Sequence, residues 1–181
     1  HAGRLGNTVT INGLIPDLFA VRQGERIRLR LVNAANARIF ALDFADHLPR
    51  IIALDGQPVR PHAAPDGLVV LGPAMRADII LDFMAAPGRK VPLTDRAYGG
   101  NEFHVLDIVY DNTPLRSAPS DREITLKGNP LPEPDLATAR RHEILFTGGM
   151  MGGMIEREMG VEMNGGGTGN PRHDGRGIWF V

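Results

Sequence analysis

The chain has 181 residues, 43% of them hydrophobic and 23% charged, and its 20 basic and 21 acidic residues leave a formal charge of -1. That balance gives no electrostatic drive toward nucleic acid or an anionic membrane as partner, and no window approaches the roughly 18 apolar residues of a membrane span. The absence of Cys excludes disulfides, thiolate zinc sites, iron–sulfur clusters, cysteine nucleophiles and any blue-copper centre, which joins a thiolate to two imidazoles.

The first 112 residues read as β throughout. "NTVTINGL" is a short β-branched run closed by Asn12-Gly13, a hairpin-turn pair. In "DLFAVRQGERIRLRLVN", "QGE" turns the chain. Ile27, Leu29 and Leu31 then face one side and Arg26, Arg28 and Arg30 the other, the period of a half-buried strand. "ARIFALDF" follows, then "RIIALDG" with its Asp55-Gly56 turn. "GLVVLGP" and "RADIILDF" are two more strands with Gly72-Pro73 between them, and "EFHVLDIVYD" closes the series. Turn signals recur about every 8 to 12 residues with no sustained helical period, which argues an all-β antiparallel sandwich or barrel.

Residues 113–141 change character. Pro114, Pro119, Pro130, Pro132 and Pro134 punctuate them. Because Pro fixes φ and removes a donor, this reads as a mostly extended linker, with room for one short strand at "REITL". Residues 142–181 hold two strands, "HEILF" and "IWFV", around a Gly-rich stretch. Two strands alone bury too little to be stable, so they read as the first strands of a second, truncated domain. The opening "HAGRLGN" and the closing "GIWFV" both look cut, as in a piece of a longer protein.

"NTVTINGL", "FAVRQGERIRLRLVNAANARIFALDFADH", "IIALDGQPV" and "LGPAMRADIILDF", in that order, resemble the middle domain of the three-domain multicopper oxidases, the laccase-like enzymes. "RRHEILFTGGMMGGM…GIWFV" resembles the opening of that family's third domain. The resemblance implies a Greek-key β-sandwich of cupredoxin type. It also implies copper-dependent oxidation of phenols, amines or metal ions coupled to reduction of oxygen to water. The copper is held in the complete enzyme by His-x-His, His-Pro-x-His-x-His and His-Cys-His motifs. None of these occurs here, so no copper is expected in residues 1–112. The implied partners are the first and third cupredoxin domains of the same polypeptide, and the implied location is extracytoplasmic. Counted without gaps from "VNA" at 32–34, the two His of a copper-bearing cupredoxin strand fall on Leu42 and Phe44. Neither offers a lone pair to a metal, and Asp43 between them points the other way by period 2.

The remaining chemistry-bearing residues are sparse. His1, His47, His62, His104, His142 and His173 never stand at ligand spacing and read as separate surface, turn or strand histidines. Ser117 and Ser120, the only serines, lack the nucleophile elbow. "GGGTGN" lacks the Lys and the helix of a phosphate loop, and Asp55 and Asp66 are turn formers. Arg outnumbers Lys eighteen to two, the exceptions being Lys90 and Lys127. The Arg residues are scattered along the chain, as an Arg-rich composition alone would leave them. Five of the seven Met residues, Met150, Met151, Met154, Met159 and Met163, fall within fourteen positions. Thioethers are soft ligands that suit Cu(I), so these five are the candidate metal site; the competing reading is a polarisable packing surface. The sequence thus reads as the structural, non-copper domain of a multicopper oxidase, inactive by itself. Two readings stand beside it: an independent extracytoplasmic β-sandwich binding module, and a small Cu(I) carrier using the Met cluster.

Overall fold

The computed structural model describes residues 8–122, 124–132 and 134–142, and the backbone of 147–148 and 179–180. The chain divides into two units, His1–Pro132 and Glu133–Val181. The expected linker, 113–141, is therefore shared between them.

The first unit is a β-sandwich of nine strands. They are β1 (Leu18–Val21), β2 (Glu25–Val32), β3 (Phe40–Asp43), β4 (Arg50–Leu54), β5 (Gln57–Ala63), β6 (Leu68–Leu71), β7 (Arg76–Phe83), β8 (Lys90–Asp95) and β9 (Phe103–Tyr110). One sheet has the order β1-β9-β8-β3-β6 and the other β2-β7-β4-β5. β1 pairs parallel to β9; the other pairs of the two sheets are antiparallel. Successive strands cross between sheets, as β1 to β2 and β2 to β3 do, which gives the Greek-key architecture of a cupredoxin.

The inward faces follow the two-residue period. On β7, Ala77, Ile79, Leu81 and Phe83 are at most 1% exposed. They pack against Ile27, Leu29 and Leu31 of β2 and, from the other sheet, Leu42, Val69, Leu93 and Ile108. At about 25 cal/mol per Å2 of apolar surface removed from water, such side chains are the main stabilising term of the fold. The opposite face of β2 carries the expected arginines. Arg26 makes a two-pronged pair with Asp82 at 2.6 and 2.7 Å, and Arg28 pairs with Asp78.

The turn signals hold. Asn12 and Gly13 both have positive φ, 52° and 79°, and exchange two hydrogen bonds between Ile11 and Leu14. Asp55 and Gly56, at 48° and 83°, make the same kind of turn between β4 and β5. "NTVTINGL" forms this bridge but no longer strand in its described residues. "QGE" does turn the chain, but β1 and β2 enter different sheets instead of forming a hairpin.

β8 was not among the expected strands, since Pro92 argues against one. The register explains the tolerance. β8 meets β3 only at Asp95 and Thr94, so Pro92 lies where β8 has β9 alone beside it, and its missing N–H costs no ladder bond on the open side.

Past β9 the chain folds back over the sandwich. The amides of Leu115 and Arg116 donate to the Gln23 carbonyl at 2.8 and 3.2 Å, and Arg26 donates to the carbonyls of Ser120 and Arg122. Gly24, with φ 80°, makes this return possible: a Cβ there would lie 2.3 Å from the Arg116 carbonyl oxygen. "REITL" is not a strand in its described residues. In the second unit, Thr147–Gly148 (β10) pairs antiparallel with Trp179–Phe180 (β11). The second of these lies within the expected "IWFV" strand. Most of "HEILF" lies outside the described residues.

Candidate functional site

Of the two positions that the sequence reading assigns to the imidazoles of a copper-bearing strand, Leu42 lies in β3 and Phe44 just past its end. Leu42 is 9% exposed and Phe44 2%, and both belong to the core between the sheets. Asp43 turns the other way. Its Oδ1 accepts the Ala45 amide at 2.8 Å and its Oδ2 accepts from Arg96 at 3.1 Å. No group of three or more His, Asp or Glu that could hold a metal converges among the described residues. Positions 42 and 44 are filled by hydrocarbon, which offers a metal no lone pair.

Among the described histidines, His47 departs from expectation. It is 4% exposed, not a turn residue in water. Its ring lies 5.0 Å from Phe83 and stacks at 5.8 Å on Tyr110. Nδ1 is 2.7 Å from the Phe44 carbonyl and Nε2 is 2.5 Å from the Tyr110 hydroxyl. A carbonyl only accepts, so Nδ1 carries the proton and donates; Nε2 then accepts from the Tyr110 O–H. Burial pushes the Tyr110 hydroxyl above its ordinary 10, only partly opposed by the Ala85 backbone and the Arg89 charge. The two hydrogen bonds satisfy the buried polar ends of both rings.

The others sit on the outside. His62 on β5 faces the Arg60 carbonyl at 2.9 Å. His104 on β9 meets Asp107 at 2.9 Å, where Lys90 also reaches at 2.6 Å. Chiefly through the Lys90 hydrogen bond, and then that of His104, the Asp107 carboxyl is held below its ordinary 3.8. His142 is exposed; His1 and His173 lie outside the described residues.

The one buried carboxylate among the described residues is Asp95, 1% exposed. Oδ2 accepts from Arg38 at 2.6 and 3.2 Å, and Oδ1 accepts the amides of Ala41 and Ala97 at 2.9 and 3.1 Å. The Arg38 guanidinium lies over three rings, Phe40, Tyr98 and Phe103, at 5.2 to 5.9 Å. With both oxygens engaged by donors from 38–41 and 97, Asp95 is a joint between β3 and β8. Nothing in the sequence marks this cluster, whose members come from three separate stretches, 38–41, 95–98 and Phe103.

The candidate cuprous ligands Met150, Met151, Met154, Met159 and Met163 lie outside the described residues, as does "GGGTGN". Neither serine has a histidine partner: the Ser120 hydroxyl accepts the Arg122 amide at 3.4 Å.

Comparison with known proteins agrees with the geometry. Residues 2–90 match the family model described as multicopper oxidase. Multicopper oxidase mco of Staphylococcus haemolyticus is 34% identical over 94 residues, which is 51% of this chain and 21% of that protein. Cell division protein FtsP of Edwardsiella tarda is 30% identical over 92 residues, 51% of this chain and 19% of that protein. Among solved structures, the multi-copper oxidase from Pseudomonas thermotolerans superposes with a TM-score of 0.63 at 30% identity, over 76% of this chain and 32% of that one. The chain thus spans about a fifth of the length of the curated relatives it matches.

Proposed function

The chain belongs to the multicopper oxidase family, and we propose that residues 1–112 are its structural middle domain, joined through 113–141 to the first strands of a third domain in 142–181. In this reading the sandwich binds no copper itself. It spaces the first and third cupredoxin domains of an extracytoplasmic oxidase, and those domains carry the copper that oxidises phenols, amines or metal ions and reduces oxygen to water. The observation that carries the reading is β3: the cupredoxin strand is kept, while Leu42 and Phe44 are committed to the core. The purified chain with added copper should show no thiolate-to-copper absorption band and consume no oxygen with a phenol. Either signal overturns the reading. The reading frame on either side should encode His-x-His pairs upstream and a His-Cys-His run downstream.

The similarity to a protein named for cell division supports a second reading, in which the same sandwich serves a family member with a role in cell division. Flanking domains without those His motifs would favour it. The five clustered Met residues are the donor set in this chain best suited to a cuprous ion, because three thioethers complete a trigonal Cu(I) site. An anaerobic competition titration against a cuprous chelator, comparing the chain with its five-Met-to-Leu variant, tests this. Equal retention by both would leave these residues without a role in copper binding.

A further inference from the structure

The sandwich carries a second feature unrelated to copper. On the outer face of the β2-β7-β4-β5 sheet, between β5 and the returning segment 120–128, lies a cleft of about 770 Å3. Among the described residues, four arginines line it, Arg26 from β2, Arg50 from β4, Arg60 from β5 and Arg122 from the segment, against one acid, Asp121. Arg26 is already committed to Asp82 and two backbone carbonyls. The guanidinium groups of Arg50, Arg60 and Arg122 have no hydrogen-bond or ion-pair partner among the described residues, although Arg28, Arg38, Arg76, Arg89 and Arg96 all have one.

Arg50, Arg60 and Arg122 line one cleft from three separate parts of the chain, and like charges gathered in this way favour an anion between them. Each presents a planar fork of donors matched to the oxygens of a phosphate. The wall is stiff: Pro58 and Pro61 on β5 line the cleft with fixed φ, so the Arg60 between them is presented on a pre-ordered strand. No aromatic residue lines the cleft among the described residues, which offers a base no stacking partner there and favours a phosphate over a nucleotide. Its volume is that of a small-ligand site.

We propose that this cleft binds a multivalent phosphate, held by Arg50, Arg60 and Arg122 on the outer face of the sandwich. The ligand is either a free condensed phosphate or the headgroup of an anionic phospholipid, since both present the same oxygens.

The experiment uses the 181-residue chain. Inorganic tripolyphosphate is titrated by calorimetry, and phosphatidylcholine vesicles with and without phosphatidic acid are tested by co-sedimentation. The doubly substituted Arg50→Gln, Arg60→Gln chain should bind at least tenfold more weakly. Arg22→Gln, which removes one exposed charge outside the cleft, should change affinity less than twofold. Binding of tripolyphosphate without vesicles assigns a free phosphate, and binding of the phosphatidic acid vesicles alone assigns a headgroup. Amide shifts in the unsubstituted chain on adding the phosphate should centre on Val59, Arg60 and Thr125, whether or not the double variant folds. Equal losses in the double variant and Arg22→Gln, shifts spread over the surface, or no binding by either probe would overturn the proposal.

Discussion

His47 and Tyr110 show how a single hydrogen bond fixes the state of two residues. Tyr110→Phe removes the hydroxyl and leaves the Nε2 lone pair of His47 buried without a donor. The expected loss is about 1–3 kcal/mol in urea denaturation, whereas a hydroxyl merely lining the core would cost little. The same pair sets a limit at high pH. The Tyr110 hydroxyl holds its proton past 10 in the fold, so its contribution is fully present below 10 and fades as pH rises through its own higher value. Thermal melts should therefore decline above pH 10, and Tyr110→Phe should remove part of that decline. None of this was legible in the chain. His47 stands in "FADHLP", which reads as a turn, and its partners lie 63 residues away in β9 and on β7. Leu42 and Phe44 were legible, because period 2 assigns a face once the strand is known.

Strands that interrupt the local pattern owe their place to neighbours. β8 contains a Pro and would not be chosen from its own six residues, but Asp95 at its end fastens it to β3. Asp95→Ala would strip Arg38 of its partner and release two amides. We expect a loss of about 3 kcal/mol, the low end for a broken buried pair, because the guanidinium keeps 35% of its surface in water. Arg38→Ala, which instead strands the carboxylate with a buried charge, should cost at least as much. The outer side of the β8–β9 ladder carries the Lys90, Asp107 and His104 group. Because the Asp107 carboxyl is held low, its contribution is present above 3.8 and is lost as pH falls through its own lower value. A carboxyl NMR titration should place the Asp107 midpoint below 3.8, and Lys90→Gln should raise it. The hairpin turns at Asn12-Gly13 and Asp55-Gly56 were readable because both residues of each pair tolerate positive φ.

At the scale of the molecule, the alternation of strands and turns already pointed to an all-β sandwich or barrel, and the family resemblance to the sandwich. What it could not specify was which strands share a sheet. "QGE" looks like a hairpin and is a crossing between sheets, because the apolar faces of β1 and β2 reach the same core from opposite sides. The arginine cleft was equally hidden. Arg50, Arg60 and Arg122 are scattered in sequence and meet only because β4 and β5 pair and the chain beyond β9 returns across the sheet.

The pairing of β1 with β9 has a mechanical consequence. The first and last strands of the sandwich lie side by side and run the same way, in a register from Leu18 with Asp107 to Val21 with Tyr110. If tension enters through residues before β1 and leaves through residues after β9, the two strands are pulled in opposite directions along their length. The load falls on the pair as shear, so its hydrogen bonds must give way together instead of one after another as in a peeled hairpin. A domain held between two neighbours in one polypeptide would by this geometry resist stretching at the seam where its own ends meet.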